Sequence, residues 1–307
     1  MQVYTLDEVP RDLGATSLAL GLFDGVHAGH LALLACVREE AEKRGISPSV
    51  LTFDDDPALK AGTPRLTSLS ERLDLFAHAG MERCFVASFP VVRDLSPDEF
   101  VGEILFRRLR AEVAVAGFNF RFGRNADGDA AMLEALFARA GKTARILPPA
   151  RLSDRTVISS SAVRDALKKG DLTRAEALLG RPYSLTAPVL TGKALGRKIG
   201  FPTVNQLFPA GKLVPRYGVY GSEVMVGDRL YPGVTNIGVR PTVSGEGVTC
   251  ETYLIGFTGD LYGETLSVSF RVFLRPEEKF DSLGALTEQI TKDKERVEKL
   301  WQENGHA

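Results

Sequence analysis

From residue 17 to about 150, five short runs are apolar throughout, and each leads into a stretch with helical periodicity. The runs are SLALGLF from Ser17, SVLTF (Ser49–Phe53), RCFVASF (Arg83–Phe89), EVAVAGF (Glu112–Phe118) and ARILPP (Ala144–Pro149). A strand that is apolar on both faces must be covered on both faces, and strands separated by helices are joined by crossovers into a parallel sheet. The pattern predicts a doubly wound α/β domain. Two of the helical stretches open with capping-box spacing, Ser68 with Glu71 and Ser96 with Glu99.

Further along, SSSAVRDALKKGDLTRAEALLGRPY (Ser159–Tyr183) reads as two short helices, stopped by Gly170 and Gly180, with Asp171 able to cap the second. Arg181-Pro182 breaks the pattern, so the boundary is set between residues 1–182 and 183–307. Beyond it come short alternating segments with tight turns. Gly227-Asp228 is a two-residue hairpin signal, TCETYLIGF and ETLSVSFRVFL continue the alternation, and Ser282–Trp301 is helical. This half predicts a small antiparallel β-barrel with a C-terminal helix.

Composition limits the classes of function. A chain of 307 residues accommodates two domains, and its 44% hydrophobic and 25% charged residues are ordinary for a folded protein. Net charge is −1, and basic clusters such as FRRLR (Phe106–Arg110) are short enough to be a solvated helix face, which disfavours nucleic acid as the main partner. Cys36, Cys84 and Cys250 are odd in number and lack C-x-x-C spacing, which fits reduced thiols and argues against zinc. The N-terminal MQVYTLDEVPRDLG has acidic residues where a signal peptide needs a basic start and an apolar stretch, and no apolar run approaches the roughly 20 residues of a membrane span. The expectation is a cytoplasmic protein without a membrane partner.

Chemistry is concentrated in LALGLFDGVHAGH (Leu18–His30). Here a buried strand, a sharp Asp24-Gly25 turn and a helix ending near Gly45 follow one another, with His27 just before the helix and His30 in its first turn. Free N–H groups and the positive dipole end make a helix N-terminus an anion site, and imidazoles there can donate to phosphate oxygens. Gly25 and Gly29 leave room for a phosphate to approach the backbone. A second loop, TGKALGRKIGFPTVN (Thr191–Asn205), is basic and bears Gly192, Lys193, Gly196, Arg197 and Gly200, a composition that can cradle phosphate, although it is not a P-loop. Glu251 alternates with Thr249 and Tyr253 on one face of a strand, opposite Cys250, Thr252 and Leu254; periodicity does not say which face is inside. Phe118, Phe120 and Phe122 alternate as at a half-buried strand end.

GLFDGVHAGH resembles the H-x-G-H signature of nucleotidyltransferases, and with LTFDDDP, LSPDEFV, AGFNFRFGRNADGD and ISSSAVRDALKKGDLTRAEALLGRPY it resembles the prokaryotic bifunctional riboflavin kinase/FAD synthetases over nearly the whole chain. The resemblance implies a Rossmann-like nucleotidyltransferase domain that makes FAD and pyrophosphate from FMN and ATP, and a barrel that makes FMN from riboflavin and ATP. It gives His27, His30 and Asn125 to the reacting phosphates, and Ser160, Ser161 and Arg164 to the triphosphate. Phe53, Asn119, Phe120 and Phe122 are implied flavin contacts. GFPTVN resembles the kinase P-T-A-N signature, with Val204 for alanine, so that Thr203 and Asn205 would hold Mg²⁺ and Glu251 would be the base for the ribityl hydroxyl. Asp56 stands where the family commonly has histidine. The partners implied are riboflavin, FMN and ATP, with a monomer or weak homo-oligomer expected. Three alternatives stay open at this point: one active half only, a different nucleotidyl acceptor, or a flavin-binding protein without turnover.

Overall fold

The computed structural model describes residues 1–54, 62–191, 196, 199–242 and 245–303. The chain divides into two compact units, Met1–Ser160 and Ser161–Ala307.

In the first unit β1 (Gln2–Thr5), β2 (Thr16–Leu20), β3 (Ser47–Phe53), β4 (Arg83–Ala87), β5 (Ala111–Gly117) and β6 (Thr143–Leu147) form one sheet in the order β1-β4-β3-β2-β5-β6. Every pairing in it is parallel. The reason the strands are apolar throughout is visible in the two cores. Leu18, Leu20, Ala114 and Ala116 pack on one face with Leu105 and Phe137, while Ala19, Val113 and Val115 pack on the other with Leu34, Val37 and Phe76. All five apolar runs hold a strand. β1 was not anticipated, because QVYT is polar and largely exposed at the sheet edge, where only β4 pairs with it.

The first helix, α1 (Ala28–Arg44), stops at Gly45, whose φ of 64° is the left-handed cap. α2 (Leu69–His78) opens on its capping box: Glu71 N donates to Ser68 Oγ at 3.2 Å and Ser68 N to Glu71 Oε2 at 2.8 Å. The Ser96–Glu99 box also forms, but the helical turn Pro97–Glu99 widens at once into a π-helical segment, Phe100–Arg108. α3 (Ala130–Arg139) precedes β6.

Two short helices follow, α4 (Ser160–Lys169) and α5 (Leu172–Leu179). Gly170 and Gly180, both at φ 77°, end them, and Asp171 Oδ1 accepts from Arg174 N at 3.0 Å. They pack in the second unit: Glu176 takes Arg271 at 2.9 Å and Leu167 O accepts from Arg216 N at 3.0 Å. The strands there are β7 (Tyr183–Pro188), β8 (Thr203–Leu207), β9 (Gly218–Val226), β10 (Arg229–Thr242), β11 (Gly245–Leu254) and β12 (Thr265–Arg275), ordered β7-β12-β9-β10-β11-β8. All pair antiparallel. The sheet curls until its edges meet, since Leu190 N, just past β7, donates to Asn205 O on β8 at 2.7 Å. Gly227 turns the β9–β10 hairpin at φ 58°. The closing helix α6 (Leu283–Glu303) packs Val297 against Val219, Val234 and Leu274. Among the described residues no helix is long and apolar enough to cross a membrane.

Candidate functional site

Strand order in the parallel sheet reverses at β2, with β3 and β4 on one side and β5 and β6 on the other. Open α/β sheets bind ligands in the crevice outside the carboxyl ends of the strands at such a switch. The segment Gly21–His30 leaves β2 at that point. Asp24 is buried and its Oδ1 accepts from Leu66 N at 2.9 Å and Thr67 N at 3.2 Å, while Gly25 N donates to Thr67 Oγ1 at 3.0 Å. Phe23, Gly25 and Val26 have φ of 58°, 84° and 38°. Such left-handed backbone in two non-glycine residues is strained and persists only where the surroundings hold it.

This turn delivers His27 as the N-cap of α1. Its Nδ1 accepts from His30 N at 3.2 Å, so the neutral ring carries its proton on Nε2. The two imidazoles stack at 3.6 Å and 13°, and Phe23 meets His30 edge-on at 5.2 Å. Burial first, and His27 second, hold His30 well below the usual imidazole range, so its ring is neutral at neutral pH. His30 Nδ1 is buried with no hydrogen-bond partner among the described residues. A Cβ on Gly29 would lie 3.3 Å from the His27 ring, so any side chain there presses on it. A capped helix N-terminus beside two stacked imidazoles is a set of donors suited to an anion.

Ser160 Oγ donates to Asp24 O at 2.9 Å, which ties that predicted residue to the turn. Ser161 and Arg164 lie on α4 in the second unit, Arg164 buried. Phe53, at the end of β3, and Phe120, after β5, pack half-buried on the same core cluster that contains Phe122, and Phe120 stacks on Phe122 at 5.6 Å. The expected alternation of the phenylalanines fails. β5 ends at Gly117, Phe120 N turns back to Gly117 O at 3.0 Å, and the three phenylalanines differ in burial, Phe118 exposed, Phe120 half-buried and Phe122 buried. Asn119 is exposed, as is Asn125, which sits at φ 57° in a short 3₁₀ turn. Asp56 lies outside the described residues.

The second unit contains a cavity of about 380 Å³ lined by Thr203, Asn205 and Glu251 together. Strand register explains their convergence. Asn205 pairs with Glu251, Glu251 with Asn236, Asn236 with Val219 and Val219 with Arg275, one row across β8, β11, β10, β9 and β12. The face left open by periodicity is decided: Cys250, Thr252 and Leu254 are buried in the barrel, whereas Thr249, Glu251 and Tyr253 line the cavity. Val204 pairs with Thr252 and is buried on that interior face, so its departure from alanine points away from the cavity-lining Thr203 and Asn205. Gly196 borders the cavity and its carbonyl accepts from Phe201 N at 2.8 Å; Gly200 turns the chain at φ 84°. Gly192, Lys193 and Arg197 lie outside the described residues.

Asn205 Nδ2 donates to Thr203 O at 3.2 Å and Thr203 Oγ1 at 3.4 Å, which commits the amide nitrogen and leaves Oδ1 as the acceptor. With the hydroxyl of Thr203 this is a hard, neutral oxygen pair, and the described residues contain no group of three or more His, Cys, Asp or Glu side chains able to hold a metal alone. Such donors fit a Mg²⁺ shared with substrate phosphates rather than a protein cage.

Some roles at these sites carried no sequence signal. Asp24, read only as part of a turn, holds that turn together with Thr67, Asn236 flanks Glu251, and the Arg275–Asp293 ion pair, 2.8 Å long, forms part of the cavity wall. NIGVRPT and LRPEEKFDSL, which hold Asn236 and Arg275, resemble family segments without giving single roles, and strand register and tertiary contact supply them.

Known proteins resemble the chain at this level. The family model for FAD synthetase matches residues 9–162 and that for riboflavin kinase residues 179–301. The bifunctional riboflavin kinase/FMN adenylyltransferase of Escherichia coli (strain K12) is 37% identical over 299 residues, covering 95% of this chain and 94% of the relative. Those of Bacillus subtilis (strain 168) and Pseudomonas fluorescens are 35% and 38% identical, covering 94% and 89% of this chain and 93% and 89% of their own lengths. A crystal structure from Streptococcus pneumoniae, described as a macrolide-efflux protein, superposes with a TM-score of 0.85 at 27% identity, covering 97% of this chain and 99% of that one.

Proposed function

The chain belongs to the bifunctional riboflavin kinase/FMN adenylyltransferase family, and from that premise we propose which of its residues carry each reaction. It phosphorylates riboflavin to FMN and adenylylates FMN to FAD, with ATP as co-substrate of both steps.

For FAD formation, an oxygen of the FMN phosphate attacks the α-phosphorus of ATP; the new P–O bond forms as the bond to the β-phosphate breaks, and pyrophosphate leaves. Such transfer is mainly positioning and charge stabilisation. His27, presenting Nε2–H from the N-cap of α1, and His30 donate to the α-phosphate oxygens as charge builds there. Gly25 and Gly29 allow the phosphate to approach. By the family resemblance Asn125 meets the reacting phosphates, Ser160, Ser161 and Arg164 hold the triphosphate, and Phe53, Asn119, Phe120 and Phe122 border the flavin.

For FMN formation, Glu251 takes the proton of the ribityl 5′-hydroxyl, whose oxygen attacks the γ-phosphorus while ADP leaves. Thr203 and Asn205 are the residues that would hold Mg²⁺, which when bound neutralises phosphate charge; by the family resemblance Gly192, Lys193, Gly196, Arg197 and Gly200 would contact the ATP phosphates. The observation that supports this reading most is the meeting of Thr203, Asn205 and Glu251 in one cavity of a size suited to a small molecule.

The test is to incubate the protein with riboflavin, ATP and Mg²⁺, beside a reaction started from FMN, and to separate the flavins by chromatography. FMN followed by FAD is expected, and chelation of divalent cations should stop both conversions. FMN that accumulates with no FAD in either tube would remove the adenylyltransferase assignments. Undiminished turnover after chelation would remove the metal.

A further inference from the structure

The turn that carries His27 is strained, and besides Ser160 one short stretch of chain, Leu66–Arg72, holds it at both ends. At the far end of the turn, Leu66 N, Thr67 N and Thr67 Oγ1 fix Asp24 and Gly25. At the near end stands Arg72, on α2 and only 2% exposed. Arginine is rarely so buried, because its guanidinium must find oxygen partners to offset lost hydration.

Those partners are specific. Arg72 Nη1 donates to Leu22 O at 2.7 Å and Thr52 Oγ1 at 3.0 Å, and Nη2 to Phe53 O at 2.9 Å and Asp54 O at 3.5 Å. Thr52 Oγ1 itself donates to Leu22 O at 3.1 Å. The regular pairing of β2 with β3 ends at Leu20 opposite Leu51. Arg72 therefore stitches the two chains together just past the point where their ladder stops. One of those chains continues into the His27 turn, and the other is the Phe53 end of β3.

We propose that Arg72 is a positioning residue for FMN adenylylation, whose guanidinium fork locks the His27 turn in register with the flavin-side end of β3. This rests on the reading that His27 acts on the reacting phosphates and that Phe53 borders the flavin. A planar fork can serve two chains at once, and a lysine ammonium cannot reproduce that geometry. The fork acts on alignment of the reacting groups more than on ground-state binding, and a displacement of about 1 Å at such a site lowers turnover about 100-fold.

Arg72→Lys and Arg72→Met test this in the full chain, with riboflavin kinase turnover of the same sample and thermal unfolding followed by circular dichroism as controls of folding. For Arg72→Lys, kcat for FAD formation should fall about 30-fold or more, with KM for FMN and for ATP within threefold of wild type and kinase turnover unchanged. Arg72→Met should fall further, and Arg72→Lys decides if Arg72→Met does not fold. The proposal is overturned if kcat of Arg72→Lys stays within threefold of wild type, or if its loss lies wholly in KM. A wild-type protein that makes FMN but no FAD would instead remove the function on which the proposal rests, an outcome seen before any variant is made.

Discussion

His27 and His30 are three residues apart and do separate work. His27 caps α1 and presents its Nε2 proton, while His30 lies beneath it, stacked and buried. Replacement of His27 by alanine should abolish FAD formation and leave riboflavin phosphorylation intact, and Glu251→Ala should do the reverse when FMN is supplied, both read by flavin chromatography. Loss of both activities in either variant would contradict the assignment of residues to reactions. The lowered pKa of His30 also makes a statement about stability. The unfolded chain takes up this proton at about pH 6.5 and the folded chain only at lower pH, so the folded state loses stability as pH falls below 6.5. In urea unfolding at pH 7.5 and pH 5.5, wild type should lose more stability on acidification than His30→Asn, in the circular dichroism phase not shared by the single tryptophan, Trp301, of the second unit. An equal loss in both proteins would mean that His30 does not resist protonation. The histidines were legible in sequence because strand, turn and helix surround them within thirteen residues. The burial of Asp24 and Arg72 was not, because nothing in a local pattern separates a buried charged side chain from an exposed one.

Elements were legible where their signals are local. Gly45, Gly170 and Gly180 end helices where they were expected to, and both capping boxes form. Signals that depend on neighbours were lost. β1 is polar because it is an edge, and the phenylalanines after β5 follow a turn rather than a strand. The inner face of β11 is set by which side the barrel closes on, and no periodicity contains that fact. The closing helix α6 owes part of its attachment to a pair that periodicity also hides. Arg275 donates to Asp293 by Nε at 3.0 Å and Nη2 at 2.8 Å, with both side chains largely buried. Asp293→Ala would strand the guanidinium, at a cost of about 3–5 kcal/mol. Urea unfolding followed by the fluorescence of Trp301, on the same helix, should show that loss, and adding Arg275→Met should recover part of it. A change below about 1 kcal/mol would show that apolar packing through Val297 suffices to hold α6.

At the scale of the whole molecule, the change from strand–helix alternation to short alternating strands was the most readable feature of all, because each architecture imposes its own period on the chain. Each unit has its own sheet and core. Chemistry links them: the product of the barrel reaction is the substrate of the α/β reaction. If each set of residues acts without the other, a chain carrying His27→Ala still makes FMN and a chain carrying Glu251→Ala still consumes it. Mixing the two variants with riboflavin and ATP should then restore FAD, after a lag during which free FMN accumulates, and the lag should shorten as the Glu251→Ala chain is raised. Either variant alone should make no FAD from riboflavin. If the mixture also makes none, while the Glu251→Ala chain converts added FMN, then FMN made by one chain does not reach another, and the two reactions are coupled within a single molecule.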